Sequence, residues 1–253
     1  MHEPHPSLDI SGALGSELAD RRIVHAVSGS VAIVRAPELA RLLMRHGAEV
    51  FPVMSHEATR LLHPNLLHWS TGHEPVTELT GETEHVALAG NTTTRADLLL
   101  IAPATANTIG KIAAGIDDGP VTTFATTAIG EGIPVVLVPA MHEPMYRHPM
   151  VHRNLDTLRE IGIEVVMPRV EEGKAKIAET EEILSRVIAV LAGRPQRAGA
   201  AGSLAGRRVL VTVGRTVEYL DPIRVITNNS SGKMGMAVAE AAREAGAEVT
   251  VVY

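Results

Sequence analysis

The chain has 253 residues, enough for one large domain or for one and part of another. A net charge of -6 with no basic run argues against nucleic acid as a partner. The absence of cysteine excludes a disulfide framework or a thiolate zinc site, and no apolar run approaches the roughly 18 residues of a membrane span. Apolar residues are 45% and aromatics 2%, so the core is aliphatic, which favours α/β over a β-sandwich; the lack of cysteine does not decide the compartment, but a cytoplasmic protein fits it.

Residues 1–20 lack the apolar core of a signal peptide and read as a loose polar tail. Ile23–Val27 reads as a first strand, Ser28-Gly29-Ser30 as a turn, and the segment from Val31 to His46 as a helix that Pro37 breaks or kinks. Gly47 ends that helix. Val50–Met54 is a second strand with Ser55 at its carboxyl end, so the unit is a parallel β-α-β. The glycines do not spell G-x-G-x-x-G. Ser28-Gly29-Ser30 suits either an anion cradle at a helix start or a tight turn that needs glycine. Residues 56–84 look irregular. Their histidines, His56, His63, His68 and His73, read as surface groups: the last three recur every five residues, which stacks on no helical face, and no metal site is assigned.

Glu84–Ala89 is a short helical piece. Leu98–Ala102 is then an unbroken apolar run, suited to a strand covered on both faces. Pro103, without an N–H, ends it. Thr105 and Asn107 suit a helix start, and Ile109, Ile112 and Ala113 recur at helical spacing until Gly115. A helix over Gly119–Ile129, a strand over Pro134–Val138, a helix over His148–Gly162, a short strand over Val165–Met167 and a helix over Ala178–Leu191 follow. The loops after the strands then share one rim, where open parallel sheets bind ligands.

Ala192–Gly206, rich in Gly, Ala and Pro, is a linker. Beyond it the opening pattern returns. Arg207-Arg208-Val209-Leu210 echoes Arg21-Arg22-Ile23-Val24, and Gly246-Ala247-Glu248-Val249 echoes Gly47-Ala48-Glu49-Val50. A second β-α-β unit therefore begins at Arg207. Residues 207–253 are too few for a domain of this class, so this unit reads as truncated and marginal alone.

Several of these stretches resemble a known family. Pro103-Ala104-Thr105-Ala106-Asn107-Thr108 is similar to the P-A-S-A-N-T motif of flavin-containing cysteine decarboxylases, and Pro139–Tyr146 to their P-x-M-N-x-x-M-W motif. His85 matches their essential histidine. Leu220–Arg224 and Asn228–Gly235 resemble the opening of phosphopantothenate–cysteine ligase. The order over residues 21–253 is that of the bifunctional coenzyme A biosynthesis flavoproteins.

The resemblance implies an α/β fold: a Rossmann-like or flavodoxin-like parallel-sheet flavoprotein domain over 21–191, a linker over 192–206, and the start of a second Rossmann-like domain over 207–253. It implies FMN-dependent decarboxylation of 4′-phosphopantothenoylcysteine to 4′-phosphopantetheine. The cysteine side chain is oxidised to a thioaldehyde, which accepts the electrons left by CO₂ loss. His85 is the base and suits the task, its unperturbed pKa being about 6.5. Ser28, Gly29, Ser30, Ser55, Pro103, Thr105 and Asn107 are implied around FMN; Pro139, Ala140, Met141 and Met145 are implied on the substrate. For the ligase, which uses CTP and Mg²⁺, Asn228 is implied at the acyl-cytidylate, and Gly214, Ser230, Gly232 and Gly235 at the nucleotide. The partners implied are small-molecule substrates and further copies of the chain, as a trimer with FMN between subunits or a dodecamer-type assembly. Two departures stand out. His142 and Tyr146 replace Asn and Trp of the family motif, His142 keeping a donor for a carboxylate. A cysteine that protonates the enethiol has no counterpart; in the matching region, Glu171–Lys176, either Lys174 or Lys176 serves as another donor, or these lysines belong to a solvated loop and the final reduction runs differently. The alternatives implied are a flavin-binding regulatory relative without the chemistry and a flavin prenyltransferase-like protein.

Overall fold

Apolar runs without a polar alternate face need cover on both sides, and four of them, with the short Glu164–Val165 at one edge, pair in one all-parallel sheet. The computed structural model describes residues 5–167, 169–171, 174–194, 204, 206–244 and 246–252, in two units, Met1–Pro195 and Gln196–Tyr253. The first unit runs β1 (Arg22–Val27), α1 (Ala36–Arg45), β2 (Glu49–Met54), α2 (His56–Leu61), α3 (Pro64–Thr71) and α4 (Glu84–Ala89). It continues through β3 (Leu98–Ala104), α5 (Ala106–Ala113), α6 (Pro120–Gly130), β4 (Val135–Pro139), β5 (Met141–His142) and α7 (Glu143–Tyr146). It closes with α8 (Pro149–Glu160), β6 (Glu164–Val165), β7 (Arg169–Glu171), β8 (Lys174–Lys176) and α9 (Thr180–Leu191).

The sheet order is β2-β1-β3-β4-β6, the flavodoxin-like arrangement of an open doubly wound fold. Every residue of β3 is buried. Leu39 and Leu43 of α1 join Ile183 and Val187 of α9 on one face; Phe124 of α6 and Leu155 and Leu158 of α8 cover the other. Each such large side chain contributes about 1.5–3 kcal/mol by leaving water.

The helical stretch is broken at Pro37, as expected, rather than kinked: Val31–Arg35 is a 3-10 turn, and α1 begins at Ala36 with Pro37 in its first turn, where no N–H is needed. Three expectations are corrected here. Residues 56–84 hold α2 and α3, hidden from a pattern search because each is short. There His73 stacks on Phe51, with ring centroids 4.2 Å apart, and lies 3.3 Å from the Glu49 carboxylate, so it is no free surface group. Pro103 does not stop β3, which continues to Ala104 through an irregularity in its pairing with β4. Glu171–Lys176 contributes to two antiparallel strands, β7 and β8, rather than only a loop.

The supposed tail is also anchored. Gly12, Leu14, Gly15 and Leu18 donate backbone N–H groups to the carbonyls of Met44, Arg45 and His46, closing the end of α1, and Leu18 is fully buried. Residues 195–203 and 205, most of the expected linker, lie outside the described residues.

The second unit contains β9 (Arg208–Thr212), the hairpin β10 (Val217–Tyr219) and β11 (Val225–Thr227), α10 (Lys233–Glu244) and β12 (Glu248–Val252). The repeat seen in sequence is a repeat of register. Arg22 pairs with Glu49 in β1/β2, and Arg208 with Glu248 in β9/β12, both parallel. In each, a positive-φ glycine (Gly47, φ 97°; Gly246, φ 88°) turns the chain from helix to strand. In the first copy the pair is also an ion pair, Arg22 Nε to Glu49 Oε2 at 2.9 Å, and His73 together with Arg22 holds the Glu49 carboxyl below its usual range.

Candidate functional site

The direction of winding reverses between β1 and β3, the position at which doubly wound sheets open a crevice beyond their carboxyl ends. Ser28 closes β1 there and is 1% exposed. Its N–H (3.1 Å) and Oγ (2.7 Å) both donate to Pro103 O, and its Oγ accepts from Thr105 N–H at 2.9 Å. The serine thus ties β1 to the end of β3 and fixes the entry to α5. Ser30 Oγ accepts from Ala32 N–H at 3.4 Å and lies 3.4 Å from Ala140 O.

Around this clasp lies a cavity of about 570 Å³, in the usual range for small-molecule sites. Three helix starts line it. Ser55 caps α2, its Oγ accepting from Ala58 N–H at 3.2 Å. Thr105 caps α5, its Oγ1 accepting from Thr108 N–H at 3.3 Å. Gly119 and Pro120 open α6. Helix starts present amide N–H groups and the positive end of the dipole, a setting for an anionic group. Gly29 sits between them, and a Cβ there would come 2.5 Å from Glu57 Cβ, so the turn packs on α2 only with glycine. Asn107, Lys111 and Met145 complete the walls; Lys111 Nζ lies 2.7 Å from Asp118 Oδ2 and holds that carboxyl below its usual range.

Residues 11–192 match the family model described as Flavoprotein. The chain belongs to the flavoprotein family. Residues 204–253 of this flavoprotein match the DNA/pantothenate metabolism flavoprotein C-terminal domain. It is 54% identical over 236 residues to the coenzyme A biosynthesis bifunctional protein CoaBC of Thermococcus kodakarensis, an alignment covering 93% of this chain and 56% of that protein. The chain therefore spans about half the length of the curated relatives it matches. Among solved structures it is similar to the FMN-dependent cysteine decarboxylase SpaF, with TM-score 0.61 and 34% identity over 70% of this chain and 99% of that one. It is likewise similar to a PPC decarboxylase variant complexed with pantothenoylaminoethenethiol, with TM-score 0.55 and 30% identity over 67% and 97%.

Of the residues expected around a flavin in this flavoprotein, Gly29, Ser55, Thr105 and Asn107 line the cavity. Ser28, Ser30 and Pro103 stand behind it as its frame. Of those expected on a substrate, Met145 reaches the cavity and is 47% exposed. Pro139 and Ala140 are buried at the end of β4, Ala140 donating its N–H to Ala104 O. Met141 and His142 form β5, where His142 lies in register opposite Lys174 of β8 and is exposed. Tyr146 turns into the core, its ring meets that of His152 at a tilt of 59° with centroids 5.2 Å apart, and burial pushes its phenol pKa up.

His85 is half-buried on α4, its Nδ1 is buried without a hydrogen-bond partner, and it does not line the cavity of its own chain. Sequence reasoning missed His56, Glu57, Lys111 and the 118–122 wall of the cavity. A usable signal for the last was Gly119-Pro120, with proline at the first helical position.

In the second unit Asn228 Oδ1 accepts from Ser230 N–H at 3.2 Å, and its Nδ2 donates to Thr216 Oγ1 at 3.3 Å. Cβ atoms on Gly232 or Gly235 would each come 2.9 Å from a Val213 methyl, so both glycines let the start of α10 approach β9; Gly214 also has positive φ, 111°.

Proposed function

We propose that this flavoprotein binds FMN in the cavity and decarboxylates 4′-phosphopantothenoylcysteine to 4′-phosphopantetheine in coenzyme A biosynthesis. The observation that carries the reading is the convergence of three helix starts and the Gly29 turn on one cavity beyond β1, β2 and β3. Its volume, its amide-rich rim and its small polar lining suit a phosphate-bearing planar cofactor. Gly29, Ser55, Thr105 and Asn107 would hold FMN, with Ser28, Ser30 and Pro103 keeping their backbone in place. Bound FMN supplies the two-electron oxidation of the cysteine side chain and the return of those electrons.

The chain's own residues supply the rest. His85, with its half-buried imidazole, is the proton-abstracting base. His142 donates a hydrogen bond to the substrate carboxylate, beside Met145. Because His85 stands away from the cavity of its own chain, the reading includes a homo-oligomer, a trimer or dodecamer-type assembly, in which His85 of one copy serves the cavity of another. Val31 and Val34, 80% and 67% exposed next to Ser30, support such a contact.

For the second unit we propose the opening of the CTP- and Mg²⁺-dependent ligase of phosphopantothenate and cysteine, with Asn228, Gly214, Ser230, Gly232 and Gly235 in its nucleotide and acyl-cytidylate region. A second reading, a flavin-binding regulatory protein without the chemistry, is favoured by one observation: the chain has no cysteine. The His85→Asn variant separates them. The expected result is wild-type CO₂ release from 4′-phosphopantothenoylcysteine that vanishes in the variant while FMN stays bound. Full activity in the variant overturns the base assignment, and FMN-loaded wild-type protein that releases no CO₂ favours the regulatory reading.

A further inference from the structure

His25 lies in the middle of β1, fully buried, and nothing in the proposed chemistry uses it. Its Nε2 is 2.8 Å from Ala102 O, and its Nδ1 is buried with no partner. Burial lowers its pKa to about 4 against the opposing hydrogen bond to Ala102, so near neutral pH the ring is uncharged. A neutral imidazole carries one N–H. A carbonyl can only accept, so that proton is on Nε2 and Nδ1 keeps a bare lone pair.

An apolar side chain would fill this site without an unpaired nitrogen. It could not donate to Ala102 O. That carbonyl stands where β3 leaves its regular ladders: the β1/β3 register ends at Ala26–Ile101, and the β3/β4 register jumps from Ile101 to Ala104. The residues that follow carry the clasp. Pro103 O receives both Ser28 donors, Ser28 Oγ receives Thr105 N–H, and Thr105 Oγ1 caps α5 at the cavity wall. Hydrogen bonds and the short backbone stretch Ala102–Thr105 thus join a core imidazole to the cavity lining.

We infer that His25 is a positioning residue for the cofactor cradle, its Nε2–H fixing Ala102 O and thereby the Pro103–Thr105 backbone against which FMN binds. The role rests on the flavin reading above. It acts through the backbone, so His25 touches neither cofactor nor substrate.

The test uses the full chain and FMN titration followed by flavin fluorescence, with H25L and H25Q beside wild type. H25L fills the site and removes the donor; H25Q returns an N–H of similar reach. The expected result is FMN affinity weakened about tenfold or more in H25L and kept within about threefold in H25Q, with the two apoproteins melting within a few degrees of each other. H25L that binds FMN as wild type does, or H25Q that weakens as much as H25L, overturns the role. Wild-type protein that takes up no FMN overturns the flavin reading and this role with it. Ring ¹⁵N shifts of His25 in the wild-type protein judge the contact independently of any variant that fails to fold: a fixed Nε2–H tautomer near neutral pH is expected, and an Nδ1–H tautomer contradicts it.

Discussion

Replacing Ser28 by alanine separates the frame of the site from its lining. The hydroxyl is 1% exposed and makes two internal contacts, to Pro103 O at 2.7 Å and from Thr105 N–H at 2.9 Å. Alanine leaves Pro103 O with the Ser28 N–H alone and strands the Thr105 N–H. An unpaired buried donor costs about 1–3 kcal/mol. Thr105 is half-buried, which lets water recover part of that, so the expected loss is about 1.5 kcal/mol. For a unit of this size that corresponds to roughly 3–6 °C in Tm. The assay is urea unfolding of the apoprotein followed by fluorescence. The one tryptophan, Trp69, lies in α3 under Arg41 at 4.7 Å and so reports on the first unit. The loss must appear without ligand. A change under about 0.5 kcal/mol in the apoprotein, with FMN affinity nonetheless reduced, would refute the clasp and make Ser28 a direct ligand contact.

Other outcomes follow from the same contacts. Asp97 accepts from Arg22 N–H at 2.8 Å and lies 3.7 Å from Arg21, whose guanidinium donates to the carbonyls of Leu191 and Arg194; Asp97→Ala is expected to lose about 3 kcal/mol, read by urea unfolding. The buried His25 stays neutral in the folded state down to pH about 4, whereas the unfolded ring takes a proton near 6.5. The unfolded state binds the extra proton between those values, so stability falls as pH drops from about 6.5 and levels off below about 4, by about 3 kcal/mol in all. H25L flattens that slope, and an unchanged slope in H25L assigns the loss to other groups. In hydrogen exchange, Leu98–Ala102 is expected to be far better protected than Val209–Val213, since β3 is buried throughout while residues of β9 alternate between exposed and half-buried; equal protection contradicts a marginal second unit.

The sheet was legible because its signal is local. The runs Ile23–Val27, Val50–Met54 and Leu98–Ala102 have no polar face, and each became a parallel strand within two residues of its expected ends. Thr105 was legible as a cap because a short hydroxyl before an apolar helical period has one common use. The Arg21/Arg207 repeat carried register as well as topology. What escaped depends on contacts distant in sequence. Residues 5–20 look polar and loose, yet their amides are held by the carbonyls at the end of α1. Ser28 reads as a ligand hydroxyl, and only the fold brings Pro103 and Thr105 to it. His25 looks like a polar interruption of a strand, and its partner, Ala102 O, is 77 residues away. His85 matched by motif, but a motif carries no position relative to the cavity.

The central claim is that the cavity beyond β1 and β3 serves FMN-dependent decarboxylation. It is tested most directly by mass spectrometry of the product after FMN-loaded protein meets 4′-phosphopantothenoylcysteine. The account predicts 4′-phosphopantetheine with one CO₂ released per substrate consumed. Unchanged substrate, with FMN bound and His85 intact, would contradict it.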